Sequence, residues 1–114
     1  YAAHQGDHTI YPDCRPDFVD AMNNVLKEGN WEKVNIVAPY IEISKSDIVG
    51  LGIEMEVPYE LTWSCYEGGD RPCLRCGTCM ERTEAFLENV GKDGIDPVLS
   101  REEWESAITI YAGA

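Results

Sequence analysis

Four of the five cysteines fall in one short stretch, as Cys65, Cys73, Cys76 and Cys79, with the spacing C-x7-C-x2-C-x2-C. No other feature restricts what this chain can fold into as strongly. Two cysteines separated by two residues turn both thiolates toward one ion from a tight turn, and four such ligands complete the tetrahedron that zinc prefers. Gly68, Gly69 and Gly77 lie in or beside these turns, where a residue without Cβ adopts conformations closed to others. Cys79 is expected in the first turn of a helix, where free N–H groups and the helix dipole favour a thiolate. With every position filled by protein, the metal is expected to be structural and not catalytic. Arg71, Arg75 and Arg82 are placed to offset part of the charge of a four-thiolate centre.

Two other uses of the cysteines stay open. Ferredoxin-type iron–sulfur runs read C-x2-C-x2-C-x3-C, and the residue that pattern requires as its last cysteine is Thr83. Disulfides or free thiols are the other alternative. The chain has no apolar run long enough to span a membrane and no basic-then-apolar leader, so a cytoplasmic protein with no membrane contact is expected. In a reducing cytosol, clustered cysteines serve as metal ligands more often than as disulfide partners.

A chain of 114 residues supports one small domain, and 44% hydrophobic with 26% charged residues is the balance of a folded protein. Nine scattered Lys and Arg against a net charge of −12 exclude binding to nucleic acid through its phosphates. Neither G-x-G-x-x-G nor G-x-x-x-x-G-K occurs, so no phosphate loop of those kinds is present.

Along the chain, residues 6–15 are too polar and too broken by turn formers for a regular element. From Pro16, Phe18, Ala21, Met22, Val25 and Leu26 recur at helical spacing, with Gly29 as the stop. Lys33 to Ala38 is β-branched and apolar between Asn30 and Pro39, the pattern of one short parallel strand. Ser44 with Asp47, Thr78 with Glu81 and Ser100 with Glu103 each form a capping pair ahead of an apolar helical pattern, the first running to about Glu56. Gly91 to Pro97 reads as a linker. One strand among four helices is more helix than a self-contained α/β unit carries, so the remaining strands are expected upstream. The opening Tyr1-Ala2-Ala3-His4, without methionine, fits a chain that continues something longer.

Cys14 stands apart in the run Tyr11-Pro12-Asp13-Cys14-Arg15. A lone cysteine is commonly a small buried hydrophobe. Here Asp7, His8, Asp13 and Arg15 supply acid, base and cation in the same loop, as ligand sites on loops often do. His4 and His8 are too few for a metal site of their own, and Trp31, Trp63 and Trp104 are most simply packing residues.

Asp7-His8 with Tyr11-Pro12-Asp13-Cys14-Arg15-Pro16, then Ser44-Lys45-Ser46-Asp47-Ile48, then Glu60-Leu61-Thr62-Trp63-Ser64-Cys65-Tyr66 and the cysteine cluster together resemble the 7-cyano-7-deazaguanine synthase family. The resemblance extends from residue 1 to about 97. It implies the C-terminal part of a Rossmann-like parallel sheet of the adenine nucleotide alpha hydrolase type, an α/β fold with a helical zinc-binding segment. On this reading residues 1–60 belong to the sheet domain, 61–97 form the zinc segment and 98–114 a C-terminal helix and tail. It implies an ATP-dependent ligase of queuosine biosynthesis that joins ammonia to 7-carboxy-7-deazaguanine and carries the amide on to the nitrile. The four cysteines match the family's zinc ligands one by one. Asp7, Tyr11, Asp13, Cys14 and Arg15 would border the substrate cleft, with Arg15 the residue best formed to meet a carboxylate or phosphate.

The family's Ser-Gly-Gly-x-Asp-Ser loop for the ATP phosphates is missing from these residues. The chain by itself is therefore expected to be inactive and to act as the C-terminal half of an enzyme, joined to or associated with an N-terminal half, with a homodimer as a further expected partner. The competing reading is a free-standing zinc module that binds a protein or ligand. The added helix after Pro97 is expected to serve an interface.

Overall fold

The computed structural model describes residues 1–114 and contains four α-helices, three short 3-10 turns and no β-strand. It divides into two compact units, Tyr1–Lys45 and Ser46–Ala114. No helix is long and apolar enough to cross a membrane.

The first unit is built on α1, Pro16–Gly29. Pro16 occupies the first helical position, where its missing N–H removes no bond, and Arg15 precedes it as N-cap. At the far end the Asn30 carboxamide donates to Leu26 O at 2.9 Å, meeting one of the carbonyls a helix terminus leaves open. Within residues 6–15, expected to be irregular, short 3-10 turns form at Gln5–Asp7 and Pro12–Cys14. The first is capped by His4, whose Nδ1 accepts from Gly6 N.

The strand expected at Lys33 to Ala38 does not form, and residues 33–38 carry no sheet pairing. A strand exists only through a neighbour's N–H and C=O groups, and nothing else in the chain offers a ladder. Asn23 of α1 takes that part for one residue. Ile36 N donates to Asn23 Oδ1 at 2.7 Å and Asn23 Nδ2 donates to Ile36 O at 3.1 Å, so one carboxamide meets both main-chain groups.

The second unit carries α2 (Lys45–Glu54) from its second residue onward, α3 (Gly77–Val90) and α4 (Arg101–Ala112). Its core joins Val49 of α2, Ala85 and Phe86 of α3, Leu99 of the linker and Trp104 and Ala107 of α4. Phe86 and Trp104 are 1% and 0% exposed, and burying a side chain such as Phe86 contributes about 1.5–3 kcal/mol. Gly52 is required by close approach, because a Cβ there would lie 1.9 Å from Tyr59 Oη. The Tyr59 ring meets Phe86 edge-on at 5.1 Å between centroids, and its hydroxyl donates to Val49 O at 3.2 Å.

α2 begins directly after Ser44 and stops at Glu54, short of the expected Glu56. α4 starts as the capping pair requires: Ser100 Oγ accepts from Glu103 N while the Glu103 carboxylate accepts from Ser100 N. The Thr78 and Glu81 pair does not cap α3. That helix begins earlier, with Cys76 as N-cap, and Thr78 lies inside it. Gly91 ends α3 at φ 70, and Arg101 then binds the Lys92, Asp93 and Gly94 carbonyls, tying the linker to the foot of α4. The inward face of α4 thus belongs to the core of its own unit.

Candidate metal centre

The ligand atoms of Cys65, Cys73, Cys76 and Cys79 all lie within 4.8 Å of one another. The sulfurs of Cys73 and Cys79 are 3.9 Å apart, and none of the four residues forms a disulfide. A tetrahedron with metal–sulfur bonds near 2.3 Å has edges of about 3.8 Å, so the four sulfurs stand where one ion would draw them.

The backbone explains the convergence. Cys73 N donates to Cys65 Sγ and Cys76 N donates to Cys73 Sγ, each at 3.3 Å, so main-chain amides already point at the sulfurs. Cys76 is the N-cap of α3 and Cys79 sits in its first turn, as expected, at the positive end of the helix dipole. Gly68 and Gly69 adopt φ of 68 and 90, which their lack of a Cβ permits. Gly77 does not: it is helical, and the left-handed residue of the turn between Cys73 and Cys76 is Leu74, at φ 65. Leu74 accepts that conformation while its side chain packs against the core.

The thiols are not electrostatically alike. At Cys76 burial raises the pKa, but hydrogen bonds from the Thr78 hydroxyl and from the Tyr66 and Cys79 main chain outweigh it and bring the thiol to about 6. Cys65 is also lowered, chiefly by the Cys73 amide. Burial, followed by the bond to Cys76, pushes Cys79 up. Thiolate is therefore favoured at Cys76 and Cys65 and not, as the helix start suggested, at Cys79, where burial outweighs the main-chain amides. The hollow beside the cysteines has a volume of about 10 Å³, which admits one water and no organic substrate.

The three arginines near the cysteines all face carboxylates. Arg71 grips Glu103 with two nitrogens and donates to Val98 O at 2.8 Å, Arg75 meets Glu67 at 3.2 Å, and Arg82 forms a fork on Asp96. They were expected to offset thiolate charge, but what they add beside the sulfurs is neutral pairs. Glu103 stood out in the sequence only as the capping partner of Ser100, and neither its pairing with Arg71 nor that of Asp96 with Arg82 was legible, since each acid lies far along the chain from its arginine.

The loop residues of the first unit hold one another. Arg15 Nε donates to His8 O at 2.6 Å. Cys14 Sγ lies 4.0 Å from Asp13 Oδ1 and 3.8 Å from the Tyr1 hydroxyl, which also donates to Asp13 O at 2.8 Å. The contact with Cys14, with burial second, pushes the Tyr1 phenol up to about 12. Asp7 accepts from His4 N at 3.4 Å and faces His4 Nε2 at 3.3 Å. Tyr11 is the N-cap of the second 3-10 turn. Nε2 of His8 is buried without a hydrogen-bond partner.

Comparison with known proteins supplies the context for this geometry. Residues 1–90 match the family described as queuosine biosynthesis protein QueC. The chain is 59% identical over 112 residues to a 7-cyano-7-deazaguanine synthase of Archaeoglobus fulgidus, covering 97% of this chain and 46% of the relative. Synthases of the same name from Pseudoalteromonas atlantica and Caldicellulosiruptor bescii are 51% and 52% identical over 96 residues, covering 84% of this chain and 44% and 43% of the relatives. The chain thus spans less than half the length of these relatives. No solved structure matches it.

Proposed function

Because the chain belongs to the queuosine biosynthesis protein QueC family, we propose that it is the C-terminal portion of an ATP-dependent ligase that converts 7-carboxy-7-deazaguanine and ammonia into 7-cyano-7-deazaguanine. The observation that carries this reading is the match over residues 1–90 joined to four sulfurs converged within 4.8 Å. Cys65, Cys73, Cys76 and Cys79 hold a structural zinc ion. A single tetrahedral ion suits sulfurs this close, whereas a cluster of several irons would spread its thiolates farther apart. The position that a ferredoxin pattern assigns to its last cysteine is the buried Thr83, whose hydroxyl donates to Cys79 O. Four protein ligands and a hollow too small for substrate leave the metal no part in the reaction.

Residues 33–38 take their place as a strand in a Rossmann-like parallel sheet whose other strands come from the rest of the enzyme, with residues 1–60 in the sheet domain, 61–97 as the zinc segment and 98–114 as the closing helix. Asp7, Tyr11, Asp13, Cys14 and Arg15 border the substrate cleft. The role proposed for Arg15 is a charge-assisted bond to substrate carboxylate or phosphate, and the loop as a whole positions reactants and neutralises charge. The ATP phosphates are gripped by a loop outside these residues, in the cytosol as for a soluble biosynthetic enzyme, either within one chain or by association with an N-terminal half.

The test is nitrile formation from the 7-carboxy compound, ammonia and ATP, followed with residues 1–114 alone, with an N-terminal half added, and with both halves in one chain. Turnover in either of the latter two and none with residues 1–114 alone is expected. No turnover in any arrangement would refute the ligase assignment.

A further inference from the structure

Arg71 lies in the loop between Cys65 and Cys73, the loop that a metal ion closes. Its guanidinium leaves that loop and grips Glu103 of α4 with Nε and Nη2, while Nη2 also donates to Val98 O at 2.8 Å. The same Glu103 carboxylate accepts from Ser100 N and so completes the capping box that starts α4. One carboxylate therefore serves the metal loop and the helix terminus together. On the other side of the cysteines, Arg82, one turn beyond Cys79, forks onto Asp96 of the same linker. The segment from Asp96 to Glu103 is thus held at two points by arginines that flank the ligands. The family match ends at residue 90, while the alignment to the Archaeoglobus fulgidus synthase runs over 112 residues and takes in this segment and α4.

We infer that α4 is a latch on the metal loop, with Arg71 and Glu103 as its clasp: docking of α4 slows release of the ion, and the ion in turn stabilises docked α4. Arg71 is a positioning residue, since it touches no sulfur and acts by fixing the loop between two ligands. An exposed ion pair by itself contributes little, but this one is bidentate, bonded to a third acceptor and shared with a helix cap, the setting in which such pairs count. Any effect of α4 docking on the affinity for the ion must be matched by an equal effect of the ion on the docking equilibrium of α4, because coupling free energy between two sites is reciprocal.

The inference rests on the zinc reading, and the experiment separates the two. The zinc content of the full-length protein is measured first, then the rate of zinc transfer to a chelating dye in excess, for the wild type, Arg71→Ala, Glu103→Ala and the double variant. Hydrogen exchange of residues 101–112 is compared with and without zinc. Expected are one zinc per chain, transfer about fivefold faster in each single variant, no further gain in the double, and faster exchange in α4 once zinc is removed. Glu103→Gln, whose side-chain oxygen can still accept from Ser100 N but which lacks the charge that Arg71 grips, should speed transfer as Arg71→Ala does, which a loss of the helix cap alone would not explain. Arg71→Lys keeps the charge without the fork and replaces the alanine variant if that one does not fold. No bound metal overturns both readings. One bound zinc with wild-type transfer in the Arg71 variant, or α4 exchange indifferent to zinc, overturns the latch alone.

Discussion

Arg82 and Asp96 form a bidentate pair inside the second unit, with side chains 12% and 3% exposed, and the guanidinium also lies 5.2 Å from the centre of the Phe86 ring. Asp96 accepts from Val98 N as well, so this one carboxylate orders the linker between α3 and α4. Removing one partner of a buried pair leaves the other charge without compensation. Asp96→Ala is therefore expected to destabilise the protein by roughly 3–5 kcal/mol in chemical denaturation. A loss below about 1 kcal/mol would show that water reaches Arg82 and that the pair is not buried in solution.

Metal content should follow the four converged cysteines and ignore the fifth. Serine at any one of Cys65, Cys73, Cys76 or Cys79 is expected to lower zinc below one equivalent by elemental analysis and to reduce thermal stability, because binding and folding are linked. Cys14→Ser, in the other unit, is expected to retain a full equivalent. Equal loss in all five variants would sink the assignment.

Glu103 gives the fold a defined acid limit. The hydrogen bond from Arg71, followed by that from Ser100 N, lowers its carboxyl from the ordinary 4.5 to about 2. A depressed folded value means a contribution that is full above the unfolded pKa and disappears as pH falls toward the folded one. The stability difference between wild type and Glu103→Gln is therefore expected to be constant above about pH 5, to shrink below it and to vanish near pH 2. Urea titrations of both proteins at neutral and acid pH read this directly, and a difference that grows on acidification contradicts it.

Gly52 faces Tyr59 with no room for a methyl group. Gly52→Ala is expected to destabilise by about 1–3 kcal/mol, since overpacking forces neighbours from their rotamers. The strain should be relieved in part by shortening residue 59, so the alanine at 52 should cost less in a Tyr59→Ala background than in the wild type. Additive losses would mean that the clash is absorbed elsewhere.

The local parts of this structure were legible because their causes are local. The C-x2-C spacings bring the cysteines to one point, Pro16 starts α1, and Ser100 with Glu103 opens α4, each within a few residues. Where two local rules competed, the reading failed: Thr78 and Glu81 match a capping box, but Cys76, drawn into the knuckle of main-chain amides, begins the helix first. Residues 33–38 have strand composition, yet composition cannot supply the neighbour that makes a strand. The Arg71 clasp on Glu103 spans 32 residues, and no spacing rule reaches that far. Asp96 read as part of a polar turn because its burial depends on Arg82, which lies in another element.

Leu74 holds the left-handed turn between two sulfur ligands with its main chain while its side chain packs against the cluster of Phe86 and Trp104. A leucine at positive φ carries a cost of the order of 1 kcal/mol, which its packing offsets. The hydrophobic interior and the cysteine cluster are consequently coupled through one residue. A change at Phe86 or Trp104 that lets Leu74 move is transmitted through one peptide bond to Cys73 and through two to Cys76. A substitution in the interior that displaces Leu74 would therefore alter the spacing of the sulfurs without touching a cysteine, and only one that returns the turn to the same shape would leave it unchanged.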